Sequence, residues 1–267
     1  MNIKSVVKVM NFHALLRVEK ARRQAEILSS MRTELEKMLR SIVNNRNLRL
    51  DKLLKLPSAN MPALRIYLGS DYGFCGSVNS AVSNALARDP GSEKITVGKK
   101  VRGRRDVLLS LTWDEYYRDI TVIRDHFISA VRDRKWSSVE LIYNHYYNMG
   151  SVKLERRVIY PVNTDNFAEA DDGGGTADYI IESSITGLLE EMMTAYLFYE
   201  FRIAVTSAYA AENTLRQSAT QESIKKLDER EEEDTRAARR EKNEAAFRKT
   251  IDSYTRRSIQ QGNQESA

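Results

Sequence analysis

Proline and glycine are scarce in this 267-residue chain, at four and twelve residues. Neither occurs in the first 56 positions, and neither occurs between Gly187 and Gly262. The two residues that most often interrupt regular structure are thus missing from both terminal segments, and long helices are the expectation there. Cysteine occurs once, at Cys75, which leaves no partner for an intrachain disulfide and suits a reducing compartment. Three scattered histidines and one cysteine give no metal-ligand spacing. No apolar run approaches the roughly 20 residues that span a bilayer. The first residues also lack the apolar core and cleavage site of a signal peptide. Membrane association is therefore expected only through partners. No zinc finger or aromatic RNA-binding signature occurs, so nucleic acid is not an expected partner.

Charge, by contrast, is plentiful. Charged residues make up 30% of the chain, with 42% hydrophobic and a net charge of +5. The arginines are scattered among glutamates, which reads as solvated helical faces rather than one basic patch. Near the N-terminus, apolar or small residues recur at Ile3, Val7, Met10 and Ala14, then at Ala21, Leu28, Met31, Leu35, Met38 and Ile42. This four–three spacing is the seam of a coiled coil, interrupted at Arg17 and Gln24. After Gly187 a second seam runs through Leu189, Met192, Tyr196, Tyr199 and Ile203. From Asp228 to Lys242 almost every residue is charged, and Glu232 with Arg236 makes a helix-supporting pair.

The middle of the chain has a different rhythm. Residues 63–68 (ALRIYL), 95–97, 138–147 and 152–160 read as strands. Residues 77–88 read as a helix, and 116–136 as an amphipathic helix with Ile120, Ile123, Phe127, Ile128 and Val131 on one side. The predicted fold class is α/β: a small, mainly parallel sheet plus a long antiparallel coiled coil formed by the N- and C-terminal helices. The expected boundaries are a coiled-coil helix over 1–58, an α/β base domain over 62–162, a Gly-rich acidic linker over 163–182, and a second coiled-coil helix over 183–261.

The sharpest local motif is Ser70-Asp-Tyr-Gly-Phe-Cys-Gly-Ser-Val-Asn79, which follows a strand and opens a helix. Gly73 and Gly76 permit a tight turn. A phosphate cradle is the alternative, but no Lys-Ser or Lys-Thr follows, and the glycines of residues 91–100 are spaced too widely. Cys75 could serve as a nucleophile with His126 or His145 as base, yet neither histidine is placed near it by sequence position. The opposing reading is a buried structural thiol. Asp171 and Asp172 sit in the Gly-rich linker and read as solvated.

That ten-residue motif resembles the Ser-Asp-x-Gly-Leu-Cys-Gly-x-x-Asn signature of F-type ATP synthase gamma subunits. It matches at Ser70, Asp71, Gly73, Cys75, Gly76 and Asn79, with Phe74 in place of the leucine. Residues 211–219 (AENTLRQSA) resemble the family's Ser-Glu-x-x-Ala-Arg-Met-x-Ala stretch at Glu212, Arg216 and Ala219. Tyr196-Leu197 falls on the family's Tyr-Leu, and the N-terminal helix is similar at residues 3–6 and 20–24. The resemblance implies a central shaft that has no catalytic residue of its own and holds no cofactor or metal. Its implied partners are the alpha and beta subunits of a nucleotide-binding hexamer, an epsilon-type subunit and a membrane c-ring. The implied place is peripheral, on the cytoplasmic side of a membrane, with the bacterial inner membrane expected. Arg236, Arg239, Arg240, Lys242 and Asn243 become candidate hexamer contacts. Lys242 and Asn243 stand nearest the family's Arg-Gln pair, and residues 258–267 are polar where the family has small apolar ones. The alternative implied by these departures is a specialised ATP-driven motor or a coiled-coil scaffold derived from the same fold.

Overall fold

The computed structural model describes residues 3–43, 57–101, 107–162 and 184–264, with side chains to residue 42 in the first segment and to residue 254 in the last. Two compact units result: Met10–Ala219, and Met1–Val9 together with Thr220–Ala267. The expected continuation of the first helix beyond residue 43 and the expected linker over 163–182 lie outside the described residues.

In the larger unit, five strands form one sheet: β1 (Leu64–Leu68), β2 (Glu93–Val97), β3 (Val107–Leu111), β4 (Val139–Asn148) and β5 (Ser151–Tyr160). Their order is β3-β2-β1-β4-β5. β1 pairs in parallel with both β2 and β4, and β2 pairs in parallel with β3. β5 returns antiparallel along β4 after a tight hairpin. Side chains alternate across the sheet. Leu64, Ile66, Ile95, Leu141 and Tyr143 face the main core, whereas Tyr67 and Ile142 face helix α2 (Val78–Ala87).

β3 had no counterpart in the sequence reading. It is an edge strand of five residues with an alternating half-buried pattern, too weak a signal beside the stronger apolar runs. The helix expected over 116–136 is instead two helices, α3 (Trp113–Arg118) and α4 (Thr121–Val131). Asp119 is the reason. Its backbone leaves the helical region (φ −140°, ψ 89°), and its carboxylate accepts from the Thr121 amide at 3.1 Å and hydroxyl at 2.5 Å. The chain returns to the helical region at Ile120, the residue before the next helix. α3 begins with a capping box in which the Glu115 amide donates to the Thr112 hydroxyl and the Thr112 amide donates to the Glu115 carboxylate.

Helix α1 (Ile3–Val43) and helix α5 (Ile185–Gln264) are the two long elements. Within the larger unit they run antiparallel: Arg32 of α1 donates to Glu200 of α5 at 2.9 Å, while Arg17 shares a cavity with Tyr209, Glu212 and Arg216. The α1 seam differs from the expected one. Ala14, Ala21, Leu28, Leu35 and Ile42 do face inward, but the intervening positions are Val18, Ala25, Arg32 and Leu39 rather than residues 17, 24, 31 and 38. Leu39 is 1% exposed, whereas Met38 is 59% exposed. Arg17 and Gln24 thus interrupt nothing, because they lie outside the seam. Choosing the large apolar residues at 31 and 38 shifted the frame by one, since a charged residue, Arg32, fills a seam position. It is accommodated there by Glu200, which also meets Arg157 of β5 at 2.9 Å.

On α5, Leu189 and Met192 are buried as expected, and Tyr196, Tyr199 and Ile203 are half-buried. Leu197 and Phe201 are fully buried, and Phe201 stacks edge-on against Tyr116 at 5.7 Å and Phe127 at 5.8 Å.

Candidate functional site

The loop of residues 70–79 leaves the carboxyl end of β1 and enters α2. Its start is sterically fixed: a Cβ on Gly69 would come within 2.1 Å of Val101. The Gly69 amide continues the sheet by donating to the Val97 carbonyl at 2.8 Å. Asn79 closes the loop on itself. Its side-chain carbonyl accepts from the Ser70 amide at 2.9 Å, and its amide nitrogen donates to the Ser70 hydroxyl at 3.3 Å and the Cys75 sulfur at 3.2 Å. The Ser70 hydroxyl donates to the Tyr72 carbonyl at 2.5 Å and lies 3.7 Å from Cys75 Sγ. Three of the six motif residues, Ser70, Cys75 and Asn79, thus hold the loop together among themselves. Asp71 accepts from the Lys99 amide at 2.7 Å and from the Trp113 amide at 3.1 Å, so it fastens a 3-10 turn (Lys99–Val101) and the first turn of α3. Gly76, at φ 56°, takes the left-handed conformation that glycine adopts without strain.

Gly73 departs from expectation. A Cβ there would meet nothing within 4 Å, and the second left-handed residue of the loop is Phe74, at φ 57°. Gly73 contributes through its carbonyl, which accepts from Arg216 Nη2 of α5 at 3.4 Å. Arg216 also donates to Asn213 Oδ1 at 3.1 Å and makes a buried ion pair with Glu212. Glu212 and Arg216 thus form, with Gly73, the fastening between the loop and α5, and Ala219 lies half-buried one turn further on. Burial pushes the Glu212 carboxyl above the ordinary carboxylate range. Arg216 opposes that shift, Asp71 adds to it, and Arg17 opposes it. Asn213 is fully buried and was not singled out from sequence; the signal was its spacing, one residue after Glu212 and three before Arg216.

The two histidines considered as bases are engaged elsewhere. His126 Nδ1 lies 2.7 Å from the Val122 carbonyl, and its ring stacks on Trp136. His145 Nδ1 lies 3.1 Å from Ser207 Oγ and 3.3 Å from the Tyr143 hydroxyl. The structure brings neither onto Cys75, whose thiol is enclosed by Ser70, Tyr72 and Asn79. No group of three or more residues able to hold a metal occurs among the described residues, and no helix there is long and apolar enough to cross a membrane.

In the smaller unit, Lys4 of α1 pairs with Asp228 at 2.6 Å and Glu231 at 2.5 Å. Arg236, Arg239, Arg240, Lys242 and Asn243 are all exposed, and Arg236 pairs with Glu232 at 3.4 Å.

A protein-family model described as ATP synthase matches residues 1–246. The ATP synthase gamma chain of Clostridium perfringens is 23% identical over 242 residues, covering 85% of this chain and 83% of that one. The gamma chain of Maridesulfovibrio salexigens is 21% identical over 243 residues, with the same coverage. Among solved structures, a chain of the central stalk and c-ring of the Tetrahymena thermophila mitochondrial ATP synthase is similar in fold, with a TM-score of 0.55 and 16% identity. The likeness covers 82% of this chain and 99% of that chain. Because the family match takes in α1, the whole sheet, the 70–79 loop and α5 through its charged stretch, the chain belongs to the ATP synthase gamma family.

Proposed function

We infer that the protein is the central rotor-shaft (gamma) subunit of an F-type rotary ATPase, coupling rotation to ATP synthesis or hydrolysis. The observation that carries this reading is the extent of the family match, residues 1–246, which includes both long helices as well as the sheet. The physical task follows from the parts. A shaft alters otherwise equivalent catalytic sites only by contacting them unequally, and their affinities differ by the differential contact free energy it supplies. It must also be fastened to its base. Arg216 on the Gly73 carbonyl and Glu200 between Arg32 and Arg157 supply such fastenings.

The chain works within a rotary ATP synthase. Its finer partners, on this reading, are the alpha and beta subunits around the shaft, with an epsilon-type subunit and a c-ring at the base. Its place is peripheral, on the cytoplasmic side of a bacterial inner membrane. The chemistry of ATP belongs to the hexamer, and this chain supplies no catalytic residue. Arg236, Arg239, Arg240, Lys242 and Asn243 are the proposed hexamer contacts. Their exposure supports this, and the Arg236 pair with Glu232 is itself exposed and weak enough to exchange for an acidic loop. Exposed ion pairs are individually weak, which suits a rotor that must release each contact as it turns.

Charge reversal tests the reading. Arg239→Glu with Arg240→Glu, in an assembled complex, should lower ATP turnover or uncouple it from ion pumping. Unchanged assembly, turnover and pumping would remove these residues from the contact set. Failure of the wild-type chain to co-purify with a nucleotide-binding hexamer would remove the rotor reading itself.

A further inference from the structure

A cavity of about 170 Å³ opens where the 70–79 loop, α3, α1 and α5 meet inside the larger unit. Its walls are aromatic: Tyr72, Trp113, Tyr117 and Tyr209 all line it. Trp113 and Tyr117 have ring centroids 5.9 Å apart at a shallow 32°, so they present a nearly continuous π surface. Carboxylates complete the lining, namely Asp71, Asp114 and Glu212. Asp71 and Glu212 also serve the fastening of the loop to α3 and α5, whereas the aromatic faces and Asp114 have no part in it.

The charges around the cavity favour a cation. Arg216 lines it too, but its guanidinium is already committed to Glu212, Asn213 and the Gly73 carbonyl. Three carboxylates thus face two guanidinium groups, Arg216 and the exposed Arg17, with Asp71 also accepting from the Lys99 and Trp113 amides. Glu212 is 93% removed from solvent by the residue's 7% exposure, and its carboxyl is raised by burial first and by Asp71 as well. A positive charge placed among these groups would relieve that unfavourable pairing. Aromatic faces attract ammonium groups through the ring quadrupole. An aromatic box edged with carboxylates therefore selects cations over neutral molecules of equal shape. Tyr72 and Tyr117 are 69% and 60% exposed, so the cavity is open to solvent, and its volume of about 170 Å³ is room for one benzene-sized ring.

We propose that this cavity binds a small aromatic ammonium ion, a single ring carrying a primary amine on a short methylene chain. The ring lies among Tyr72, Trp113, Tyr117 and Tyr209, and the ammonium meets Asp71 and Glu212. Arg17 is the internal competitor for the same carboxylates. Ligand binding here would bridge the loop, α3 and α5, and so would stiffen the fastening at Arg216. The inference stands on the cavity alone and does not depend on the rotor reading.

The test is binding of 2-phenylethylamine to the purified full chain, followed by ligand-observed NMR and thermal melting, with 2-phenylethanol and methylamine as controls. Saturable binding of the amine is expected, with the alcohol weaker by about tenfold, the ratio that one charge-assisted contact contributes. Arg17→Ala should tighten the amine and leave the alcohol unchanged. Tyr117→Ala should weaken the amine, and Glu212→Gln should reduce the preference for amine over alcohol. Equal binding of amine and alcohol, or no saturable binding of the amine, would overturn the proposal. If Glu212→Gln fails to fold, Arg17→Ala and Tyr117→Ala decide, and amine affinity unchanged in both overturns it equally.

Discussion

Helix α5 contains two stretches of opposite character. Between residues 189 and 216 nearly every face is at least half covered, whereas from 228 to 254 every residue is exposed. The backbone is helical throughout, so the same local geometry is held in two different ways. The first stretch is held by packing, through Leu197, Phe201 and Ala204 in the main core. The second relies on residues of high helix propensity and on pairs at four-residue spacing such as Glu232 with Arg236. A helix face is thus no reliable guide to where the stability of this chain resides.

The comparison can be broken most severely at Phe201. Phe201→Ala empties a site 0% exposed and removes two edge-to-face ring contacts, and should cost about 3–5 kcal/mol in denaturant unfolding. Arg216→Met approaches the same size, about 3–5 kcal/mol at neutral pH, because Glu212 is left buried without its cation. This loss depends on pH in a defined direction. The folded carboxyl is raised above its ordinary 4.5, so its contribution is fully present below that value and is lost as pH rises. Removing Arg216 raises it further. Stability curves at pH 5 and pH 8 should therefore differ more for the variant than for wild type, with the variant faring worse at pH 8. A pH-independent loss would show that the pairing is not what Arg216 supplies.

The α1 seam offers a sharper, smaller contrast. Leu39→Ala should cost about 2–4 kcal/mol, whereas its neighbour Met38→Ala should stay within about 0.5 kcal/mol. A larger melting shift for Met38→Ala than for Leu39→Ala would restore the seam frame expected from sequence. Smallest of all, Arg239→Ala with Arg240→Ala in the exposed stretch of α5 should move the thermal midpoint hardly at all, any effect being confined to the assembled complex.

Much of this arrangement was legible in the sequence. The terminal helices followed from the absence of Gly and Pro, and β1, β4 and β5 from apolar runs with clear punctuation. What escaped did so for identifiable reasons. The seam frame failed at Arg32, because a charge in a buried seam is accommodated only by Glu200 and Arg157, residues remote in sequence. The break at Asp119 was readable in principle, since Asp-x-Thr and the Thr112-x-x-Glu115 capping box are both helix-start signals. At the site, the family motif located Ser70, Asp71, Cys75 and Asn79, but not what they do. The closing of the loop by Asn79 is a local contact across nine positions, whereas the reach of Asp71 to Lys99 and Trp113 depends on the crossover of parallel strands, which brings residues 28 and 42 positions apart into contact. Gly73 was misread for a related reason, as its role lies in a carbonyl offered to Arg216 rather than in its conformational freedom.

The uneven support along α5 has a consequence for the lifetime of its backbone hydrogens. Amides near Leu197 and Phe201 can meet deuterated solvent only when the surrounding core opens as a whole. Amides from 228 onward need only a local fraying of a solvated turn, which costs far less. Exchange along this one helix should therefore step from very slow to fast near residue 220, although no residue there departs from helical geometry.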